Sequence, residues 1–252
     1  MVKTLFFKKM KHKKLPKASQ DNLPLHIAII PDGNGRWATK RGLPRNMGHR
    51  EGSKVIREIV LFANEIGIKY LTIYAFSTEN WKRPKDEVAF LMELIQEFLD
   101  NAEEELSGIN IKIKVIGNLK GLSESLQKRI PEIETATMNN TGLVLNIALN
   151  YGGRDEIVEV VRKIAREIQE DKIKIKDIDE TVIENRLYTA GIPEPDLMIR
   201  TAGEKRISNF LLWQCAYTEM WYTDVLWPDF SKGDLLLAIQ SYQTRKRRFG
   251  GI

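Results

Sequence analysis

Along this chain the spacing of apolar residues switches repeatedly between two periods. The runs HIAIIP (26–31), KYLTIYAF (69–76), IKIKVIGN (111–118) and LVLNIALNY (143–151) are rich in β-branched and aromatic residues and predict strands. DLMIRTAG (196–203) and LLWQCAYTEMWYTD (211–224) are strand-like as well. Between these runs the apolar residues fall three and four apart. GSKVIREIVLFANEIGI (52–68) places Val55, Ile56, Ile59, Val60, Ala63 and Ile66 at helical spacing. DEVAFLMELIQEFLDNAEEEL (86–106) predicts a long helix with a wide apolar face through Val88, Leu91, Met92, Leu94, Ile95, Phe98, Leu99, Ala102 and Leu106. A helix is expected over 123–139, with Pro131 leaving its course open. Another is expected over RDEIVEVVRKIAREIQED (154–171), with Ile157, Val161, Ile164 and Ile168 on one face, and a last one over SKGDLLLAIQSYQTRKRRF (231–249). Strands alternating with helices of this length predict an α/β fold, a single domain with a largely parallel central sheet flanked by helices.

Composition agrees with a globular chain. At 252 residues, 42% hydrophobic and 29% charged, it can bury one substantial core. No apolar run reaches the roughly 18–20 residues of a membrane-spanning helix. The net charge of +5 is unevenly spread. Residues 1–17 hold seven lysines and no acid, which leaves 32 of the 39 basic residues against 34 acidic ones elsewhere. Residues 1–25 therefore read as a basic tail ahead of a single domain at 26–252, with a second basic cluster, RKRR, at 245–248. Its apolar part, Leu5–Phe7, is too short for a secretory signal. A solvated arm is the plain reading of the tail; contact with an anionic membrane, with Phe6 and Phe7 at the interface, is the sharper one. No zinc motif, recognition helix or aromatic-basic platform points to nucleic acid. Cys215, the single cysteine, sits in apolar surroundings and reads as a buried thiol in a reducing, cytoplasmic compartment.

In open α/β sheets ligands bind beyond the carboxyl ends of the strands. The unusual residues of this chain fall there: PDGNGRW (31–37), FSTENWKRP (76–84), NYGGRDE (150–156) and RTAGEKRIS (200–208) each follow a predicted strand. In the first loop Gly33, Asn34 and Gly35 expose backbone N–H groups ahead of a helix, an anion cradle to which Arg36 and Arg45 add charge. Asp32 is placed to ligate a hard cation such as Mg2+. A tight turn explains the same tetrapeptide without any ligand. In the fourth loop Arg200, Arg206 and Ser208 suit phosphate oxygens, the alternative being surface salt bridges to Glu204 or Glu219. Two anion sites would suit two diphosphates. In the second loop Asn80 orients rather than abstracts, because an amide is no base near neutral pH. Ser77, Glu79 and Arg83 accompany it, and Trp37, Phe76 and Trp81 are candidate apolar walls. His49 lies just before the first long helix, facing the same edge. An ordinary core helix is the simplest reading of residues 86–106, although a broad apolar face beside diphosphate sites is also what an amphiphilic lipid diphosphate requires.

HIAIIPDGNGRWA, GHREG, YAFSTENWKRP, LNIALNYGGRDEI, DLMIRTAGEKRISNFLLWQCAYTE and TDVLWPDF together resemble the cis-prenyltransferases, of the bacterial undecaprenyl diphosphate synthase type, from residue 26 to 250. The aspartate-rich DDxxD motif of the all-helical trans enzymes is absent. The resemblance implies a Mg2+-dependent homodimer that condenses isopentenyl diphosphate repeatedly onto farnesyl diphosphate. Its product would be a chain of about 55 carbons, a lipid-carrier precursor for cell-wall glycans, made in the cytoplasm or at the inner face of the membrane. It implies Asp32 and Glu219 as metal-associated carboxylates. Gly33, Asn34, Gly35, Arg36, Arg45 and His49 would hold the allylic diphosphate, and Arg200, Arg206 and Ser208 the homoallylic one. Ser77, Asn80, Trp81, Arg83 and Glu87 match a closing loop, and Ala75 and Leu143 match the wall of a hydrophobic product tunnel. Alternatives are a short-chain enzyme of the same family and a non-catalytic membrane scaffold. The scaffold is disfavoured because Asp32, Arg36, Asn80, Arg200, Arg206 and Glu219 are all present.

Overall fold

A computed structural model describes residues 22–105 and 108–245; most of the basic tail, Leu106 and residues 246–248 of the RKRR cluster lie outside the described residues. In chain order the elements are β1 (His26–Ile30), α1 (Asn34–Lys40), α2 (Arg45–Glu65), β2 (Tyr70–Ser77), α3 (Lys85–Glu105), β3 (Ile111–Ile116) and α4 (Glu124–Ala136). There follow β4 (Leu143–Tyr151), α5 (Gly153–Gln169), α6 (Glu180–Glu184), β5 (Leu197–Arg200), β6 (Glu219–Tyr222) and α7 (Lys232–Gln243). The strands form one sheet in the order β3-β4-β2-β1-β5-β6, and every pairing is parallel.

Helices cover both faces, so the strands are apolar on both. In β1, Ile27 and Ile29 join one core cluster while Ala28 and Ile30 join the other. The larger cluster packs α2, α3, α4 and α7 against the sheet, with Trp227 fully buried. The smaller one holds Tyr74, Tyr151, Phe210 and Cys215, with Tyr74 and Phe210 stacked 4.3 Å apart. Burial raises the Cys215 thiol to about 12, as a structural cysteine requires.

Four expectations change. Of residues 211–224 only Glu219–Tyr222 is a strand. Ser208, Asn209 and Leu211 have φ of 48°, 63° and 46°, left-handed values that no strand accommodates, and Phe210 and Leu211 bury themselves as anchors of a turn. Pro131 lies inside α4, which runs on through it. His49 lies within α2, which begins at Arg45. On α5 the buried stripe runs through Val160 and Ile164, whereas Val161 is exposed.

Topology positions the site. β1 and β5 are 170 residues apart in sequence yet hydrogen-bonded neighbours, with Ile30 opposite Arg200. β2 is irregular near its end, where register shifts occur between Tyr74 and Phe76 and again before Ser77. Such a bulge breaks the alternation of side chains and re-aims them at a strand's end. Helices α1 and α2 meet closely through small residues: a Cβ on Gly48 would stand 2.0 Å from the Asn34 carbonyl oxygen. Gly48→Ala is therefore expected to destabilise the fold by about 1–3 kcal/mol in urea unfolding. A loss below about 0.5 kcal/mol would show that α1 is not held in this approach.

Candidate active site

A cavity of about 890 Å³ opens at the carboxyl edge of the sheet and runs inward between α2, α3 and strands β2 and β4. Its mouth is polar and its depth apolar. At the mouth, β1 ends at Pro31 and Asp32, and Gly33 turns the chain into α1 with φ of 106°, a conformation that favours glycine. The first-turn N–H groups of α1, Asn34 to Arg36, have no partner within the helix.

Two clusters of cations surround this mouth, each balanced by carboxylate. In the first, Arg200 Nη2 donates to Asp32 Oδ2 (3.0 Å) and Arg36 Nη2 to Asp32 Oδ1 (3.1 Å). Thr201 Oγ1 donates to the Asp32 carbonyl (2.7 Å), fixing the residue from behind. Arg36 Nη1 also reaches Glu204 Oε1 (3.2 Å), and Glu204 pairs in turn with Arg206. Arg200 is almost fully buried, and its Nη1 donates to Ser208 Oγ (2.6 Å) and to the Arg206 carbonyl. Its Nε is buried with no partner. Burial works to raise the Asp32 carboxyl, but the hydrogen bonds and charges of Arg200 and Arg36 outweigh it and hold Asp32 ionised.

The second cluster centres on Glu87, on the first turn of α3. Arg45 Nε donates to Glu87 Oε2 (3.1 Å), Arg83 Nη1 to Oε1 (2.8 Å), and His49 Nε2 lies 3.1 Å from Oε1. Burial opposes the Glu87 charge, yet bonds from Arg45 and His49 and the charges of Arg83 and Arg45 bring its pKa down to about 2. Burial lowers the His49 pKa, aided by the positive charges of Arg83 and Arg45 and opposed by Glu87, so its imidazole is neutral near pH 7.

Most of the residues expected at a site are thus brought together. Asp32, Gly33, Asn34, Gly35, Arg36, Arg45 and His49 line the cavity from the β1 side, and Arg200, Arg206 and Ser208 from the β5 side. Ala75, Ser77, Asn80 and Arg83 line it from β2, where Asn80 Oδ1 accepts the Ser77 N–H (3.0 Å). Glu87 acts from behind them through Arg45, Arg83 and His49. The aromatic walls do not form. Trp37 turns away to Asp229, its Nε1 donating at 2.7 Å beneath the Arg41 guanidinium. Phe76 is completely buried in the core, because the β2 bulge directs Tyr74 and Ala75 to the cavity instead. Trp81 packs edge-on against Phe76 and donates to Asn150 Oδ1 (2.7 Å). Glu219 stands at the amino-terminal end of β6, beside Leu197 and bonded to Arg245 (2.7 Å), so within one chain it does not meet Asp32. Leu143 is buried on the same face of β4 as Leu145, Ile147 and Leu149, but the cavity wall ends at Leu145.

The depth of the cavity is walled by Ile56, Leu94, Ile95, Phe98, Val115 and Ile147. The α3 face is therefore both core and cavity wall: Ala102 is buried in the interior, while Leu94, Ile95 and Leu99 line the empty space. Periodicity alone marks both as apolar. Thr201 and Asn209 were not singled out by the sequence; their position beside the arginines of RTAGEKRIS is the signal that marks them. The arrangement can hold two phosphorylated groups at its mouth and a hydrocarbon in its depth, with the ionised Asp32 between Arg36 and Arg200.

Residues 30–250 match the family model described as putative undecaprenyl diphosphate synthase. An isoprenyl transferase of Clostridium tetani is 53% identical over 92% of this chain and 91% of its own length. One of Geobacillus kaustophilus is 51% identical over 97% of both. Among solved structures, lavandulyl diphosphate synthase from Lavandula x intermedia in complex with dimethylallyl diphosphate superposes with a TM-score of 0.88 at 42% identity, covering 90% of this chain and 98% of the other. A probable undecaprenyl diphosphate synthase from Campylobacter jejuni gives 0.75 at 33% identity, covering 91% and 99%.

The Glu87 cluster makes stability depend on pH. Because the folded carboxyl titrates near 2 rather than 4.5, its contribution is complete above the unfolded value and is lost as pH falls towards 2. Glu87→Gln is expected to be about 1–3 kcal/mol less stable than the parent at pH 6, a deficit that shrinks as pH drops from 4.5 to 2. Urea unfolding of both proteins across that range checks it. A deficit that does not change with pH would remove the charge from the explanation.

Proposed function

The chain belongs to the undecaprenyl diphosphate synthase family and is a cis-prenyltransferase, and on that premise we propose that it condenses isopentenyl diphosphate repeatedly onto farnesyl diphosphate to make a long-chain polyprenyl diphosphate of about 55 carbons. The observation that carries this reading is one cavity that joins two arginine clusters at its mouth to an apolar depth. Arg36, Arg45 and the first turn of α1 bind the allylic diphosphate; Arg200, Arg206 and Ser208 bind the homoallylic one. Ala75, small and on the cavity wall, leaves the way open for a growing chain.

Among the described residues no three His, Cys, Asp or Glu side chains group to hold a metal. Asp32, ionised and on the wall of the cavity, is the residue that would hold a hard cation. The chemistry that Mg2+ would supply there is neutralisation of the charge that grows on the departing diphosphate. The arginines stabilise the same charge from fixed positions, so little reorganisation accompanies the reaction. The allylic C1–O bond breaks, the homoallylic double bond forms a new bond to C1, and a proton leaves C2. Asn80 and Ser77, tied to each other, orient the homoallylic group; the released diphosphate accepts the proton. The apolar walls keep water from the electron-poor carbon.

A short-chain product is the second reading, favoured by the likeness to lavandulyl diphosphate synthase. We carry the homodimer and a cytoplasmic site of action, with the lysine-rich tail touching an anionic membrane, as further parts of the proposal. No helix among the described residues is long and apolar enough to cross a membrane.

Incubation with farnesyl diphosphate, labelled isopentenyl diphosphate and Mg2+, followed by sizing of the products, tests the activity. Long-chain products are expected; a single added unit would establish the short-chain reading, and no extension would end both. Asp32→Ala is expected to lower turnover by about 10²–10³-fold or more while leaving the circular dichroism spectrum unchanged. Near-normal turnover would remove Asp32 from the chemistry.

A further inference from the structure

Three loops of the carboxyl edge meet at one side chain that the chemistry above does not use. Asn209 follows Ser208 directly and lines the cavity. Its Nδ2 donates to Glu79 Oε1 in the loop after β2 (2.8 Å). Its Oδ1 accepts the N–H of Arg154, in the first turn of α5 (2.9 Å). Its own carbonyl accepts the Gly153 N–H (2.7 Å). The fit is close: a Cβ on Gly152 would stand 2.8 Å from Nδ2.

Resting on the functional reading above, we infer that Asn209 is a positioning residue that holds the homoallylic diphosphate ligands Arg206 and Ser208 in register with Asn80. The side chain needs a donor towards a carboxylate and an acceptor towards a backbone amide, at one fixed reach. Aspartate lacks the donor, serine and threonine lack the second group, and glutamine is longer by a methylene. The backbone adds a further requirement, since φ is 63° at Asn209 and 48° at Ser208. Asparagine tolerates the left-handed region far better than most residues do, and its three bonds hold Ser208 in a conformation it would otherwise avoid. Glu79 lies one residue before Asn80, so the Asn209–Glu79 bond links the two loops that carry the phosphate ligands and the orienting amide. Small displacements of a bound reactant are costly in rate, which gives such a link kinetic weight.

The test is a rescue experiment on the full chain, with farnesyl diphosphate, isopentenyl diphosphate and Mg2+. Asn209→Asp keeps the acceptor for Arg154 but sets a carboxylate against Glu79. It is expected to raise KM for isopentenyl diphosphate about tenfold or more, with KM for farnesyl diphosphate within about twofold of the parent. Adding Glu79→Gln restores a donor across the gap and should return KM for isopentenyl diphosphate to within about threefold of the parent value. A change in both KM values together, or no rescue by Glu79→Gln, would overturn the inference in favour of a structural role. Should Asn209→Asp fail to fold, Glu79→Ala breaks the same bond from the other side; it should raise the same KM selectively, and an unchanged KM there would overturn the inference equally. Product formation by the parent protein separates the two levels. If the parent extends nothing, the functional reading falls; if it extends normally and the variants behave otherwise than stated, only the role of Asn209 falls.

Discussion

The ion pair between Asp32 and Arg200 is the contact on which the rest of this site depends. Its two residues are 168 positions apart and meet only because β1 and β5 are parallel neighbours with Ile30 opposite Arg200. A one-residue slip would turn Arg200 to the other face of the sheet and separate it from Asp32. The guanidinium is nearly buried, so losing its counter-charge would be costly; Asp32, Ser208 and the Arg206 carbonyl accept three hydrogen bonds from its two terminal nitrogens. That arrangement carries the whole RTAGEKRIS loop to the end of β1.

Both cation clusters are neutralised from within. Asp32 and Glu204 face Arg36, Arg200 and Arg206, while Glu87 faces Arg45, His49 and Arg83. A fold that gathers this many guanidiniums without counter-charges would repel itself. The carboxylates hold the arginines in place, and on the proposed reading phosphate oxygens would share them. The apolar depth serves a different need. Its walls are the same kind of side chains that make the core, contributed by α2, α3, β2, β3 and alternate residues of β4, so core and cavity differ only in whether neighbouring side chains meet.

That equivalence sets what could be read in advance. Strands β1, β2, β3 and β4, the helices between them and the four loops at the carboxyl edge were legible, because period and turn chemistry are local properties. The β2 bulge was not: nothing in YAFST announces which of Tyr74, Ala75 and Phe76 faces inward, and so Phe76 was expected at a wall as well as Ala75, although only Ala75 of the two lines the cavity. Trp37 and Trp81 were expected as walls for being aromatic, yet each found a hydrogen-bond acceptor elsewhere. Residues 211–218 read as part of a strand because their large apolar side chains are anchors rather than a pleated face. Pairings across the sheet, such as Asp32 with Arg200 and Asn209 with Glu79, are non-local and left only composition as a trace. Glu219 shows the converse: a residue placed by resemblance beside the metal stands at the opposite edge of this chain's sheet.

Arg200→Lys tests most directly whether geometry, rather than charge alone, makes this site. Lysine keeps the charge but gathers its donors on one nitrogen, so it cannot reproduce the planar fork with which Arg200 reaches Asp32 from Nη2 and Ser208 and the Arg206 carbonyl from Nη1. Calorimetric titration of the folded variant with isopentenyl diphosphate in the presence of Mg2+ is predicted to show affinity weakened by about tenfold or more relative to the parent protein. Binding within about twofold of the parent would contradict the account, because a point charge would then suffice where a fixed fork is claimed.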